Sequence, residues 1–276
     1  MPANTALVIV GDVAPDVIAT AIETRFGAWR PGPVPPRPKL HPVSSSVASG
    51  TIYLIDRPGA AQSVLSIGRI GAGLRSADRN ALILLKKALL GRISWKIRDE
   101  KAYTYEFSET FDFREGAGPF VGRVSVQTME TGNALAEIFK QTNEFARDAG
   151  TTDDDLSELK DSMLPDTINR FETIADVAGQ LGYLAAHRLP NRYFALEPTR
   201  FAKVIPADVD RLARKLFLPG RMTVLVVGDR AVIEDSLRSL PFVKNVRLLD
   251  VQGNPILESV ALKPAPASTS AMATSP

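Results

Sequence analysis

Gly91-Arg92-Ile93-Ser94-Trp95-Lys96-Ile97, then Arg98-Asp99-Glu100-Lys101, then Ala102-Tyr103-Thr104-Tyr105-Glu106-Phe107-Ser108 is the stretch on which the fold turns. Its first part continues an amphipathic helix into a charged run. Its last part alternates, with Tyr103, Tyr105 and Phe107 on one side and Thr104, Glu106 and Ser108 on the other. A period of about 3.6 giving way to a period of about 2 marks a helix-to-strand junction. Arg98 stands near the helix end and Tyr105 on the new strand, seven residues on. Such a junction can aim a guanidinium and a phenol into the same space. Trp95 is expected to pack in the core.

Reading outward, residues 78–90 form a strong helix with Ala81, Leu82, Leu84, Leu85, Ala88 and Leu89 apolar. Before it, 51–55 and 62–70 read as strands around the turn Asp56-Arg57-Pro58-Gly59. After the junction, Gly116 and Gly118-Pro119 make a turn and 120–127 returns as a hairpin strand. Helices follow over 131–149, then from a Thr151-Thr152-Asp153 cap, then over 172–187 and 206–216. A strand over 222–227 ends in Gly228-Asp229, and a helix at 232–240 and a short strand at 246–249 close the fold.

Towards the N-terminus, 5–10 reads as a buried strand ending in Gly11-Asp12. Pro15 opens a helix to Phe26, with Val17, Ile18, Ala21, Ile22 and Phe26 broadly on one side. Pro31, Pro33, Pro35, Pro36, Pro38 and Pro42 mark an extended linker and the best domain boundary. The segments 5–12 and 222–229 resemble each other, each a buried strand, a Gly-Asp turn and a following helix. Their spacing is 217 residues, since 228 minus 11 is 217. A repeat of that length is a duplicated domain, not a solenoid period. The expected organisation is a terminal strand and helix of a preceding homologous unit at 1–30, a proline-rich linker at 31–50, a complete unit at 51–255 and a disordered tail at 256–276.

The chain has 276 residues, 45% apolar and 23% charged, with a net charge of +2. Nothing in that balance argues for nucleic acid or a membrane surface, and no basic cluster with interleaved aromatics is present. The absence of cysteine excludes disulfides, thiolate metal sites and a cysteine nucleophile. No apolar run approaches the ~18 residues of a membrane span. No signal peptide is visible in the first residues, and the residues leave the compartment open.

Arg98-Asp99-Glu100-Lys101-Ala102-Tyr103-Thr104-Tyr105 resembles the Arg-Glu-Asp-Lys-Gly-Tyr-Thr-Tyr signature of the second, non-catalytic domain of the pitrilysin/insulinase family of zinc peptidases. Arg57-Pro58-Gly59-Ala60-Ala61-Gln62-Ser63 is similar to that family's Arg-Pro-Gly-x-x-Gln-Ser segment, and Val227-Gly228-Asp229 to its closing strand. The resemblance implies an α+β fold, a mixed and mostly antiparallel sheet with helices packed on one face. It implies two such units facing each other around a peptide chamber, the zinc lying in the other unit on a His-x-x-Glu-His helix. It also implies that Arg98 and Tyr105 reach the peptide substrate near the scissile bond. Arginine suits a carbonyl or carboxylate, and a tyrosine hydroxyl suits a developing oxyanion. A bacterial periplasmic setting is compatible with it.

This chain cannot form that zinc site, because His41 and His187 are its only histidines and neither has another one helical turn away. His187 reads as a polar residue in a C-terminal helical turn and His41 as a linker residue. No cofactor is expected in this chain; zinc is expected in the partner unit. Asp153-Asp154-Asp155 reads as dipole-favoured residues at a helix start, Gly68 and Gly71-Ala72-Gly73 as strand-end turns, and Ser44-Ser45-Ser46 has no nucleophile context.

Two departures from the family pattern stand out. Lys86-Lys87 replaces the glycine pair of the family's Leu-Gly-Gly segment, so a flexible stretch becomes good helix. Ala102 replaces the glycine of the signature, a residue permissive at positive φ. From the residues alone, Arg98 paired with a nearby carboxylate and Tyr105 as a strand-face core residue is the competing reading. The functional expectation is a zinc-free, substrate-binding half of a pitrilysin-like peptidase, inactive alone, completed by a zinc-bearing unit from a missing N-terminal part or a separate chain. The alternative is a structural or assembly subunit, the role some resembling proteins have in respiratory complexes.

Overall fold

The computed structural model describes residues 1–36, 50–104, 107–147, 151–217 and 221–256. Tyr105, His41, Ser44-Ser45-Ser46, the linker over 37–49 and the tail beyond 256 lie outside them. Six strands form one sheet: β1 (Thr51–Asp56), β2 (Gln62–Ile70), β3 (Phe107–Phe111), β4 (Pro119–Gln127), β5 (Thr223–Gly228) and β6 (Asn245–Leu249). Their order across the sheet is β3-β4-β2-β5-β1-β6. β3, β4, β2 and β5 pair antiparallel in succession, whereas β5 and β6 flank β1 in parallel.

The helices are α1 (Pro15–Phe26), α2 (Arg79–Ser94), α3 (Thr131–Arg147), α4 (Asp153–Asp161), α5 (Met163–Asn169), α6 (Ile174–Ala186), α7 (Glu197–Ala202), α8 (Pro206–Leu216) and α9 (Arg230–Arg238). Helices cover one face of the sheet. Leu65 and Ile67 of β2, Phe120, Val124 and Val126 of β4, and Val224 and Val226 of β5 point into it. Leu82, Leu85, Leu89 and Ile93 of α2 and Leu135, Ile138 and Phe139 of α3 meet them from above in one core cluster. Each such side chain contributes roughly 1.5–3 kcal/mol on burial. The mixed, mostly antiparallel α+β architecture is the one expected.

Local chemistry sets the element ends. Thr152 and Asp155 form a reciprocal capping box on α4, and Thr173 and Asp176 form one on α6. Beside β1 and β5, the Asp229 carboxylate accepts from the Gly59 amide at 2.8 Å, and the Asp56 carboxylate accepts from the Arg230 amide at 3.0 Å. Gly59 adopts a φ of 73°, so the Pro-Gly turn needs its glycine.

Four expectations are corrected. Residues 5–10 form no strand, and Leu7 and Ile9 are 57% and 43% exposed. Among the described residues no strand lies beside them, and a strand without a neighbour leaves its backbone groups to water. The equivalent segment β5, by contrast, is paired on both edges by β1 and β2. Second, β3 begins at Phe107, so Tyr103 and Thr104 precede the strand. Third, Trp95 is 57% exposed. The buried stripe runs Leu85, Leu89, Ile93, Ile97, and Trp95 lies about 200° around the helix from Ile93 at ~100° per residue. Fourth, α5 is a separate short helix between α4 and α6, where the sequence reading placed none.

Candidate functional site at the helix-to-strand junction

α2 does not stop cleanly. After Ser94 it widens into a π-helical turn, Trp95–Glu100, in which the Lys101 amide donates to the Lys96 carbonyl at 3.0 Å. π-turns are uncommon and concentrate at functional sites. Ile97 is fully buried and anchors the turn, and its carbonyl accepts from the Tyr103 amide at 2.8 Å. Between them Ala102 takes a φ of 55°, the left-handed conformation that reverses the chain at a helix end. This is the position where the resembling signature carries glycine. Thr104, buried, then donates its hydroxyl to the Ser125 carbonyl on β4 at 2.7 Å.

With Ile97 inward, Arg98 faces solvent. Its side chain is half exposed, and its Nε and Nη2 donate to Asp99 Oδ1 and Oδ2 at 3.1 and 3.2 Å. The hydrogen bonds to Asp99 raise the guanidinium pKa further above its already high value. Lys96 pairs with Glu100, whose carboxyl is held below its ordinary pKa by that contact, and its Nζ lies 5.0 Å from the Trp95 ring centre. The junction therefore presents an exposed indole and alternating charges around Arg98. Tyr105, the second expected site residue, is outside the described residues.

The Lys86-Lys87 pair lies within α2, as expected of good helix formers. Lys87 pairs with Asp166 at 2.8 Å, and the Lys86 Nζ donates to the Glu109 carbonyl at 3.5 Å. Glu109 itself is a residue the sequence reading passed over. It is 7% exposed, and burial pushes its carboxyl up to about 8, with Lys86 pulling the other way. The signal was available: from Phe107 on, alternation puts Glu109 on the same face as Phe107 and Phe111.

The other candidates have structural roles. His187 caps α6, with Nδ1 3.1 Å from Glu115 Oε1 and its ring 4.5 Å from that of Tyr183. Asp155 is held below its ordinary pKa by the Thr152 hydroxyl and amide. Gly71 donates its amide to the Gly118 carbonyl at 2.7 Å, where β2 ends and β4 begins. Among the described residues, no group of three or more His, Asp or Glu side chains is placed to hold a metal. A groove of about 520 Å³ lies at the start of α2. Its arginines are engaged, Arg75 with Glu115, Arg79 with Glu197, Arg211 with Asp78 and Arg200 with the Tyr193 carbonyl.

Three solved structures are similar in fold. One is a peptidase M16 inactive domain from Pseudomonas fluorescens, 20% identical, covering 66% of this chain and 44% of that one with a TM-score of 0.58. Another is a protease from Helicobacter pylori, 16% identical, covering 79% of this chain and 53% of that one with a TM-score of 0.65. A third is a chain of complex III2 from Candida albicans, 10% identical, covering 83% of this chain and 57% of that one with a TM-score of 0.61. The chain thus spans about half the length of these structures. No curated protein matches it. The family model described as the peptidase M16 inactive domain matches residues 1–163, more than half of the chain. The chain belongs to the peptidase M16 inactive domain family.

Proposed function

We propose that this chain is the zinc-free, substrate-binding half of a pitrilysin-like peptidase, and that a zinc-bearing His-x-x-Glu-His unit, in the same polypeptide or another, completes the peptide chamber. In this reading Arg98 binds a peptide carbonyl or carboxylate, and Tyr105 supports the oxyanion that forms at the scissile bond. The observation that carries it is the π-turn. An uncommon backbone geometry sits on the signature residues, buries Ile97 and turns Arg98 to solvent. The zinc, held by the partner, would activate water there; this chain supplies binding and orientation. Residues 1–30 are then the end of a preceding homologous unit, and 31–50 the link to the unit at 51–255. The apolar side chains exposed at Leu7, Ile9, Val17 and Phe26 support that division.

A second reading is a structural subunit without a part in proteolysis. The observation in its favour is that Arg98 already has a bidentate partner in Asp99. A solvent-exposed pair of this kind is weak, so a peptide carboxylate can displace it. Reconstitution separates the two readings. Peptide hydrolysis is measured for the chain mixed with a zinc-bearing His-x-x-Glu-His partner, with wild type beside Arg98→Ala and Tyr105→Phe.

A further inference from the structure

Two buried glutamates in this fold are treated in opposite ways. Glu197 is held by Arg79 at 3.5 Å and Arg170 at 2.5 Å. Both Glu109 carboxyl oxygens are buried and, among the described residues, have no hydrogen-bond partner. They border a cavity of about 20 Å³ walled by Ile67, Leu89, Ile93, Phe107, Ile138 and Phe139, among others. Across the ladder Glu109 faces Gly122, beside which the apolar Phe107 ring lies.

We propose that Glu109 is a proton-operated latch on the sheet edge. With its carboxyl protonated, β3 stays docked under α2 and α3; loss of the proton releases β3. The geometry makes the two states unequal. A cavity of about 20 Å³ holds a single water at most, so an ionised carboxylate cannot be hydrated in place. An unpaired buried charge is far costlier than a buried neutral acid, and moving out to solvent relieves it. β3 is the element able to move. It is an edge strand of five residues, and among the described residues it pairs with β4 alone.

The charges around Glu109 set the pH range. From α2 the one facing cation is Lys86, which contacts the Glu109 carbonyl. The cavity walls from β2, β4, α3 and the segments bordering β5 are Ile67, Phe120, Gly122, Ile138, Phe139, Thr142, Phe217 and Met222, all uncharged. Burial dominates, Lys86 opposes it in part, and the carboxyl titrates at about 8. The latch is closed at neutral pH and opens in mildly alkaline solution. Because Thr104, just before β3, is tied to Ser125, opening loosens the far end of the junction that presents Arg98. The inference concerns the fold of this chain and stands whether or not it takes part in peptide hydrolysis.

The test is amide hydrogen exchange of the full chain from about pH 6.5 to 9.5, corrected for base catalysis, with β1 and β5 as internal references. In wild type the protection of residues 108–111 is expected to fall at least tenfold while β1 and β5 hold. Glu109→Gln should abolish the fall, and Lys86→Met should move its midpoint to higher pH. A flat wild-type profile, or the same fall in Glu109→Gln, overturns the proposal. If Glu109→Gln does not fold, the carboxyl carbon of Glu109 in wild type is titrated by NMR. A midpoint above about 7 supports the latch, and one near the ordinary glutamate value of 4.5 overturns it.

Discussion

The Nζ of Lys86 on α2 lies 3.5 Å from the backbone carbonyl oxygen of Glu109 on β3. Lys86 thus stands near a carboxyl buried against aliphatic and aromatic side chains. It ties the edge strand to the helix through the main chain, and among the described residues the carboxyl oxygens have no hydrogen bond.

Stability should therefore depend on pH through Glu109. Unfolded, the group titrates near 4.5; folded, at about 8. Between these values the unfolded chain has released a proton that the folded chain keeps. Folding stability thus falls as pH rises, by about 1.4 kcal/mol per pH unit, and levels off above the folded value. Urea unfolding of wild type and Glu109→Gln at about pH 5 and pH 8 should show the gap moving by several kcal/mol in favour of glutamine. An unchanged gap would contradict the assigned burial.

Ala102 carries strain at the chain reversal. A left-handed conformation costs a residue with a Cβ roughly 1–2 kcal/mol, and glycine is free of that cost. Ala102→Gly, at a φ of 55°, should raise stability by up to about 1 kcal/mol after the greater freedom of glycine in the unfolded chain is subtracted. A lower melting temperature for the variant would show that the Ala102 methyl makes contacts that outweigh the strain.

Restoring the glycine pair should do the reverse. Lys86→Gly/Lys87→Gly introduces two glycines into the interior of α2, at about 1 kcal/mol each. It also removes the Lys87–Asp166 pair at 2.8 Å, a surface contact of small value. A loss of about 2 kcal/mol in chemical unfolding is expected. A neutral result would mean that α2 is held by its buried leucines alone.

The N-terminal segment exposes Leu7, Ile9, Val13, Val17, Phe26 and Trp29. Large apolar side chains exposed in this way favour association. Light scattering of the chain alone should show self-association, which Leu7→Ser/Val17→Ser/Phe26→Ser lowers. A monodisperse wild-type monomer would argue against an interface on this face.

The elements best read from sequence are those whose pattern and packing agree. β2 and α8 begin and end where alternation, Pro206 and the apolar face of 206–216 place them. α1 likewise matches its Pro15 start. The misreadings have physical causes. Residues 5–10 have strand composition, but pairing depends on a neighbour, which composition does not carry. Trp95 differs because its hydrophobicity suggests the core, whereas its position about 200° from Ile93, legible in the helical period, sets it off the buried stripe. The π-turn rests on hydrogen bonds displaced by one residue, such as Lys101 to Lys96, which have no sequence signature of their own. The left-handed turn at Ala102 was signalled only by the resemblance, whose signature carries glycine there; the structure keeps the turn with alanine in it. Glu109 was legible in principle from the alternation of Phe107 and Phe111 around it.

The central claim is that Arg98 and Tyr105 form the substrate wall of a two-unit chamber, and reconstituted peptide hydrolysis tests it most directly. Mixing this chain with a zinc-bearing His-x-x-Glu-His unit should create cleavage that a chelator abolishes. Arg98→Ala and Tyr105→Phe should each lower kcat/KM about tenfold or more, roughly 1.4 kcal/mol of transition-state stabilisation. A complex that forms yet is inactive, or whose activity ignores both substitutions, would contradict the claim and leave the chain a structural subunit.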